Sequence, residues 1–218
     1  MSKKKKIIII SVISIIVLAL IIGIAIFLIN RHNSEESQSY SGDTRIARLY
    51  DRLNKEKMFS FTTTIDDNNK EIYAKSSDAA YIDTIYEGEE SKFVIKDGNS
   101  YLLNDENKIY YTYQNNEIDL NRVIEQLEEV KDTELVEGTE NIEGKEYNYE
   151  EYSGFTSFAF KLSDEGDTEN MKTRFYFDGD NLVYIKTITS NTQELLKVEI
   201  SDDVDKSLFE IPSDYREM

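Results

Sequence analysis

The chain has 218 residues, 25 Lys and Arg against 43 Asp and Glu, a net charge of −18, one histidine and no cysteine. Such a balance lacks the clustered cations of a nucleic-acid binder. With no cysteine and a single histidine, it also excludes thiol nucleophiles, disulfides, the common zinc sites and a Ser-His-Asp set.

Lys3 to Lys6 make residues 1–6 a basic tail, and Ile7 to Ile29 then runs without one charged side chain. At 1.5 Å per residue that run spans roughly 34 Å, enough to cross a hydrocarbon core of about 30 Å. Residues 7–29 are therefore expected to form a transmembrane signal anchor. By the positive-inside bias the tail stays in the cytoplasm, and the rest of this single-pass cell-membrane protein is extracytoplasmic. A cleaved secretory signal is the rival reading, since Gly23-Ile24-Ala25 has a small-x-small pattern. Ile26 to Ile29, however, continues the apolar run past that point. A lipid anchor on a cysteine of this sequence is excluded. The richness in Ile, Lys, Asn and Tyr suggests a bacterium with an AT-rich genome.

Residues 30–42 are small and polar with no apolar period, and read as a flexible stalk. His32 sits in it as a solvated side chain. The remainder, 43–218, reads as one extracytoplasmic domain. Ile46, Leu49, Tyr50 and Leu53 recur at helical spacing behind Asp43 or Thr44 as N-cap. Phe59, Phe61, Thr63 and Ile65 then alternate with polar residues, the period of a half-buried strand. Further strands are expected at Glu71–Ser76, Ala80–Tyr86, Lys92–Lys96, Ser100–Leu103 and Lys108–Tyr113, separated by turn residues such as Asp97-Gly98. Asp119–Lys131 carries Leu120, Val123, Ile124, Leu127 and Val130 on one helical face. After it come strands at Glu134–Glu137, Glu146–Tyr152, Ser157–Leu162, Lys172–Phe177, Leu182–Thr189 and Leu195–Ile200, with an acidic loop at Ser163–Asn170. The expected class is α+β: a large antiparallel sheet with two or three helices gathered on one side.

Chemistry is hard to assemble from these residues, and no catalytic, cofactor or metal residue is expected. Glu150 and Glu151 are adjacent carboxylates, but neighbours on a strand point to opposite faces and cannot flank one bond. Asp178-Gly179-Asp180-Asn181 departs from a calcium loop, with Leu182 and Val183 where a ligand and a glycine belong, and reads as a hairpin turn. Asp164 to Asp167 reads as solvated loop. The tyrosines and phenylalanines cluster on strands, with Tyr111 and Tyr113 on one and Phe175 and Phe177 sharing a face of another. They suit either cross-strand packing or a concave apolar surface.

Three stretches resemble the LolA-like and LppX-like carriers: Gly138 to Tyr147 as strand-turn-strand, Phe175 to Ile185, and Leu208-Phe209-Glu210-Ile211-Pro212-Ser213-Asp214-Tyr215 as a closing tail. The resemblance covers roughly Asp43 to Met218. It implies a curved half-barrel closed by helices over a hydrophobic cavity that takes a lipid or acyl chain, and it transfers no ligand-contacting residue. Those carriers are soluble or attached by a lipidated cysteine, whereas this chain is expected to hang from a helix. Two functions follow as expectations. One is a membrane-tethered protein that binds a lipid or other amphiphile in the half-barrel. The other is a cell-envelope interaction module with a filled core, which holds a protein partner by a sheet edge or acidic face. A carboxylate-only hydrolase comes third.

Overall fold

In the computed structural model, residues 44–114, 120–131, 133, 135–153, 171–190 and 192–218 are described. The apolar run Ile7–Ile29, the stalk with His32, the strand Ser157–Leu162 and the loop Ser163–Asn170 lie outside them. Among the described residues, no helix is long and apolar enough to cross a membrane.

Helix α1 (Arg45–Lys55) leads into six strands: β1 (Phe59–Asp66), β2 (Asn69–Lys75), β3 (Ala79–Tyr86), β4 (Glu89–Lys96), β5 (Asn99–Asn104) and β6 (Ile109–Gln114). Helix α2 (Arg122–Lys131) follows, then β7 (Val136–Ile142), β8 (Lys145–Ser153), β9 (Lys172–Asp178), β10 (Asn181–Ile188), β11 (Gln193–Ser201), a 3₁₀ turn (Lys206–Phe209) and β12 (Arg216–Glu217). All the strands form one sheet in the order β12-β6-β5-β4-β3-β2-β1-β11-β10-β9-β8-β7. It is two antiparallel meanders, β1 to β6 and β7 to β11, joined where β1 pairs with β11 and Phe61 faces Ile200. The fold is thus α+β, a curved, mostly antiparallel sheet with two helices.

The hairpins are local in origin. At Asp97-Gly98 both turn residues have positive φ, 54° and 72°, the type I′ geometry whose twist matches that of paired strands. Glu87-Gly88 and Glu143-Gly144 turn in the same way.

Alternation then sorts the side chains onto two faces. The inner face meets the helices. Ile46, Leu49 and Leu53 of α1 and Val123, Ile124, Leu127 and Val130 of α2 pack there on Phe59, Phe61, Tyr73, Ile82, Phe175, Phe177, Ile185 and Leu196. Each fully buried apolar side chain contributes about 1.5–3 kcal/mol, so this layer dominates stability. The helices also hold each other: the Tyr50 hydroxyl donates to Glu128 at 3.2 Å, and Lys131 Nζ sits 4.0 Å from the centre of the Tyr50 ring. The start of α2 is tied to β2 by Tyr73, whose hydroxyl donates to the Leu120 carbonyl, and by an Arg122–Glu71 ion pair.

A second, smaller core lies on the outer face. Val204, Leu208 and Phe209 of the C-terminal segment pack on Ala74, Ala79, Tyr81 and Val94. The segment then crosses toward β6, with Lys96 bonded to Glu210 at 2.5 Å and Tyr215 donating to Asp105 at 2.6 Å. It ends as β12, parallel to β6, where the Arg216 and Met218 amides donate to the Lys108 and Tyr110 carbonyls, each at 3.1 Å. Thus the tail covers one edge of the sheet.

The strand expected at Glu134–Glu137 runs from Val136 to Ile142, which agrees with the strand-turn-strand reading of Gly138–Tyr147, and the Tyr149 ring lies against Gly138. No third α-helix joins the inner layer among the described residues; the 3₁₀ turn Lys206–Phe209 packs on the outer face. The tail makes a test of the outer core. Phe209, 6% exposed, should cost about 3 kcal/mol when cut to alanine. Urea unfolding would show a lower midpoint at unchanged slope, and a loss under about 1 kcal/mol would mean that the strap adds little to the fold.

Candidate functional site

Glu150 and Glu151 do lie on opposite faces, and each has its own task. Glu150 is completely buried on the inner face. Its carboxylate accepts the Arg45 amide at 2.7 Å and the Ile46 amide at 3.0 Å, and Arg45 Nη1 stands 3.6 Å away. Thr44 caps the same helix from its own chain, with its Oγ1 accepting the Ala47 amide at 3.1 Å. The first turn of α1 is therefore satisfied by one local oxygen and one carboxylate from β8. A negative charge at a helix N-terminus is favoured by the helix dipole, and the two amides replace the water lost on burial.

Glu151 belongs to a network on the outer face. It accepts from Lys172 at 2.8 Å and from Arg174 Nε at 2.7 Å. Arg174 Nη1 reaches on to Glu140 at 2.7 Å, which also accepts from the Tyr176 hydroxyl at 2.6 Å and Lys186 at 2.7 Å. Desolvation pushes the Glu140 carboxyl up, but the bonds from Lys186, Tyr176 and Arg174 outweigh it and hold it down to about 2. Glu151 is likewise lowered, with desolvation overcome by Lys172 and Arg174. Tyr176 moves the other way, raised by burial and by its bond to Glu140. Aromatic rings roof this network: Tyr149 lies 5.5 Å from Tyr176 and 4.4 Å from the Arg174 guanidinium, and Tyr147 lies 5.5 Å from Tyr184.

The Asp178–Asn181 stretch is a hairpin turn, with Asp178 bonded to Lys145 at 2.7 Å and Asp180 to Arg48 at 2.8 Å. The loop Asp164–Asp167 lies outside the described residues. Phe175 and Phe177 point together into the inner core, opposite Arg174 and Tyr176. Tyr111 and Tyr113 share the inner side of β6 near its edge and stay exposed.

A concave feature lies elsewhere, at the C-terminal end of α1. There Leu53, Phe59, Leu182 and Val198, each at most 4% exposed, make the floor of a groove of about 350 Å³. Val183 and Ile200 line its side, and Arg52, Glu56, Asn181, Glu199, Ser201 and Asp202 form a polar rim. A register slip between Leu182 and Tyr184 inserts Val183 as an extra residue in β10. Such a bulge bends its strand and re-aims a side chain. The groove's size falls at the small end of ligand sites, about 300–1,000 Å³, and its lining is as polar as it is apolar. Sequence patterns missed it because it is built at the ends of elements, where alternation stops. The bulge itself leaves no mark in composition.

Two outcomes test these assignments. Glu150→Ala should destabilise the domain by about 3 kcal/mol, since two helix amides lose their acceptor. Glu150→Gln keeps one oxygen and should cost less, by differential scanning calorimetry. Glu140 gives a pH signature. Its carboxyl drops from an ordinary 4.5 to about 2 on folding, so its contribution is full above 4.5 and is lost as pH falls through about 2. Glu140→Gln should therefore flatten the acid limb of a Tm-against-pH curve in that window, and an unchanged limb would contradict the network.

No protein-family model matches the chain, and no curated protein matches it. Solved structures similar to it include an uncharacterized conserved protein from Thermus thermophilus, 9% identical with a TM-score of 0.43, over 79% of this chain and 96% of that one. The lipoprotein LppX of Mycobacterium tuberculosis is 17% identical with a TM-score of 0.43, over 74% of this chain and 95% of that one.

Proposed function

We propose that this chain is a membrane-tethered, extracytoplasmic binding protein that takes the apolar chain of a lipid or other amphiphile into the groove beside α1. The groove itself carries the reading. An apolar floor of Leu53, Phe59, Leu182 and Val198 under a polar rim fits a molecule with an apolar chain and a polar head. The uncharged run Ile7–Ile29 supports the tether, and the sequence resemblance to lipid carriers points to the same ligand class. The protein is read as a binder and not an enzyme, because Glu150 and Glu151 face apart and both serve structural bonds.

A second reading is favoured by the interior. Phe59, Phe61, Tyr73, Phe175, Phe177 and Leu127 fill the space between sheet and helices, each at most 3% exposed. A filled core suits a module that holds a protein partner in the cell envelope. Native mass spectrometry of the detergent-extracted chain, with lipid analysis of whatever is released, separates the two. The groove reading expects a stoichiometric acyl-bearing species that is lost in Val183→Trp, which fills the groove. Bare protein with an intact fold in both would transfer the assignment to the partner-binding module.

A further inference from the structure

The two edges of the sheet are treated differently. At one, β12 lies along β6, and Thr112 Oγ1 donates to Glu217 at 2.5 Å. At the other, β7 ends the sheet with no strand beyond it among the described residues. Its pairing with β8 is unbroken from Val136 opposite Glu151 to Ile142 opposite Lys145. Edge strands are usually blunted by charge, proline, a bulge or extreme shortness, and β7 has only the charges of Glu137 and Glu140.

We propose that the β7 edge, which no described strand covers, is a docking site for an extended, basic segment of a partner protein, which adds to the sheet as a further strand. This rests on the partner-binding reading above and names its site and chemistry. An added strand bonds through its main chain and is selected by alternate side chains. On the inner side it meets Glu137, whose side chain is 71% exposed and stands 3.6 Å from Arg45 Nη1, a guanidinium it shares with Glu150. The adjoining hairpin adds Glu143 and Glu146, both exposed, while Lys145 is engaged by Asp178. On the outer side the strand meets Val136, 57% exposed, and the Tyr149 ring that lies against Gly138. The pattern that fits is lysine or arginine on inner-facing positions and apolar residues on outer-facing ones. A second copy of this chain would set the same glutamates against each other at an overall charge of −18, so self-pairing is disfavoured.

The test is amide hydrogen exchange on the full chain in detergent micelles, with an alternating lysine–valine peptide and its glutamate–valine counterpart as probes. The lysine peptide should slow exchange across Val136–Ile142 saturably, less so at high salt, and the glutamate peptide should not. Glu137→Lys, with its fold checked by circular dichroism, should weaken the lysine peptide by roughly tenfold and reverse the charge preference. Equal protection by both peptides would overturn the charge assignment, as would concentration-dependent protection of β7 without peptide, which means self-pairing. Protection on another element alone would overturn the β7 site and leave the partner-binding reading standing. No protection anywhere would remove both.

Discussion

A carboxylate with no exposure to water holds the start of a helix, and the layout of the domain depends on that bond. Glu150 lies on β8 in the second meander, whereas α1 precedes β1 in the first. Burying a charge is costly unless hydrogen bonds and opposite charge replace the lost water. Here two helix amides, the dipole of α1 and the Arg45 guanidinium do so together. The bond therefore links the two meanders across the inner face and sets where α1 crosses the sheet. With its N-terminus held there and Ile46, Leu49 and Leu53 in the core, the far end of α1 comes to rest over β10 and β11, where it walls the groove.

Much of this was legible because it is local. The stripe on α1, the alternation in β1, and the turn at Asp97-Gly98 each depend on residues a few positions apart, so period and turn chemistry identify them. The separation of Glu150 from Glu151 follows from strand geometry alone. What each carboxylate bonds to does not. Glu150 meets an amide 105 positions earlier, and Glu140 meets Lys186 across 46. Such partners are set by sheet order, which turn signals do not encode. β12 was hidden for a different reason: two residues have no period, and their pairing depends on the tail first docking through Phe209. Gly138 lies in the strand-turn-strand stretch Gly138–Tyr147, where it provides clearance for the Tyr149 ring.

The charge of the domain is arranged as well as large. Lys172, Arg174 and Lys186 are drawn to the outer face of β9 and β10, where they neutralise Glu140 and Glu151. Ion pairs this shielded are screened less than exposed ones, so the network stabilises the far end of the sheet at ordinary salt. Glu137 and Glu146 lie on the other face, where Arg45 Nη1 stands 3.6 Å from Glu137. Acidic side chains beside the β7 edge discourage self-pairing of that strand.

The groove and the edge make different demands on a tether. Under the proposed anchor at Ile7–Ile29, the fourteen residues 30–43 could extend no further than roughly 50 Å. Confinement of that kind raises the effective concentration of anything held in the same membrane. For the proposed ligand, a small groove with a mixed rim would be weak toward a molecule met in bulk solution and better served by one presented at the membrane. The same confinement favours a partner anchored alongside, whose extended segment needs few side-chain contacts once main-chain bonds to β7 form. Under the proposed tether both readings would draw affinity from position, while Phe59 and Leu182 complete the core and floor the groove with the same side chains.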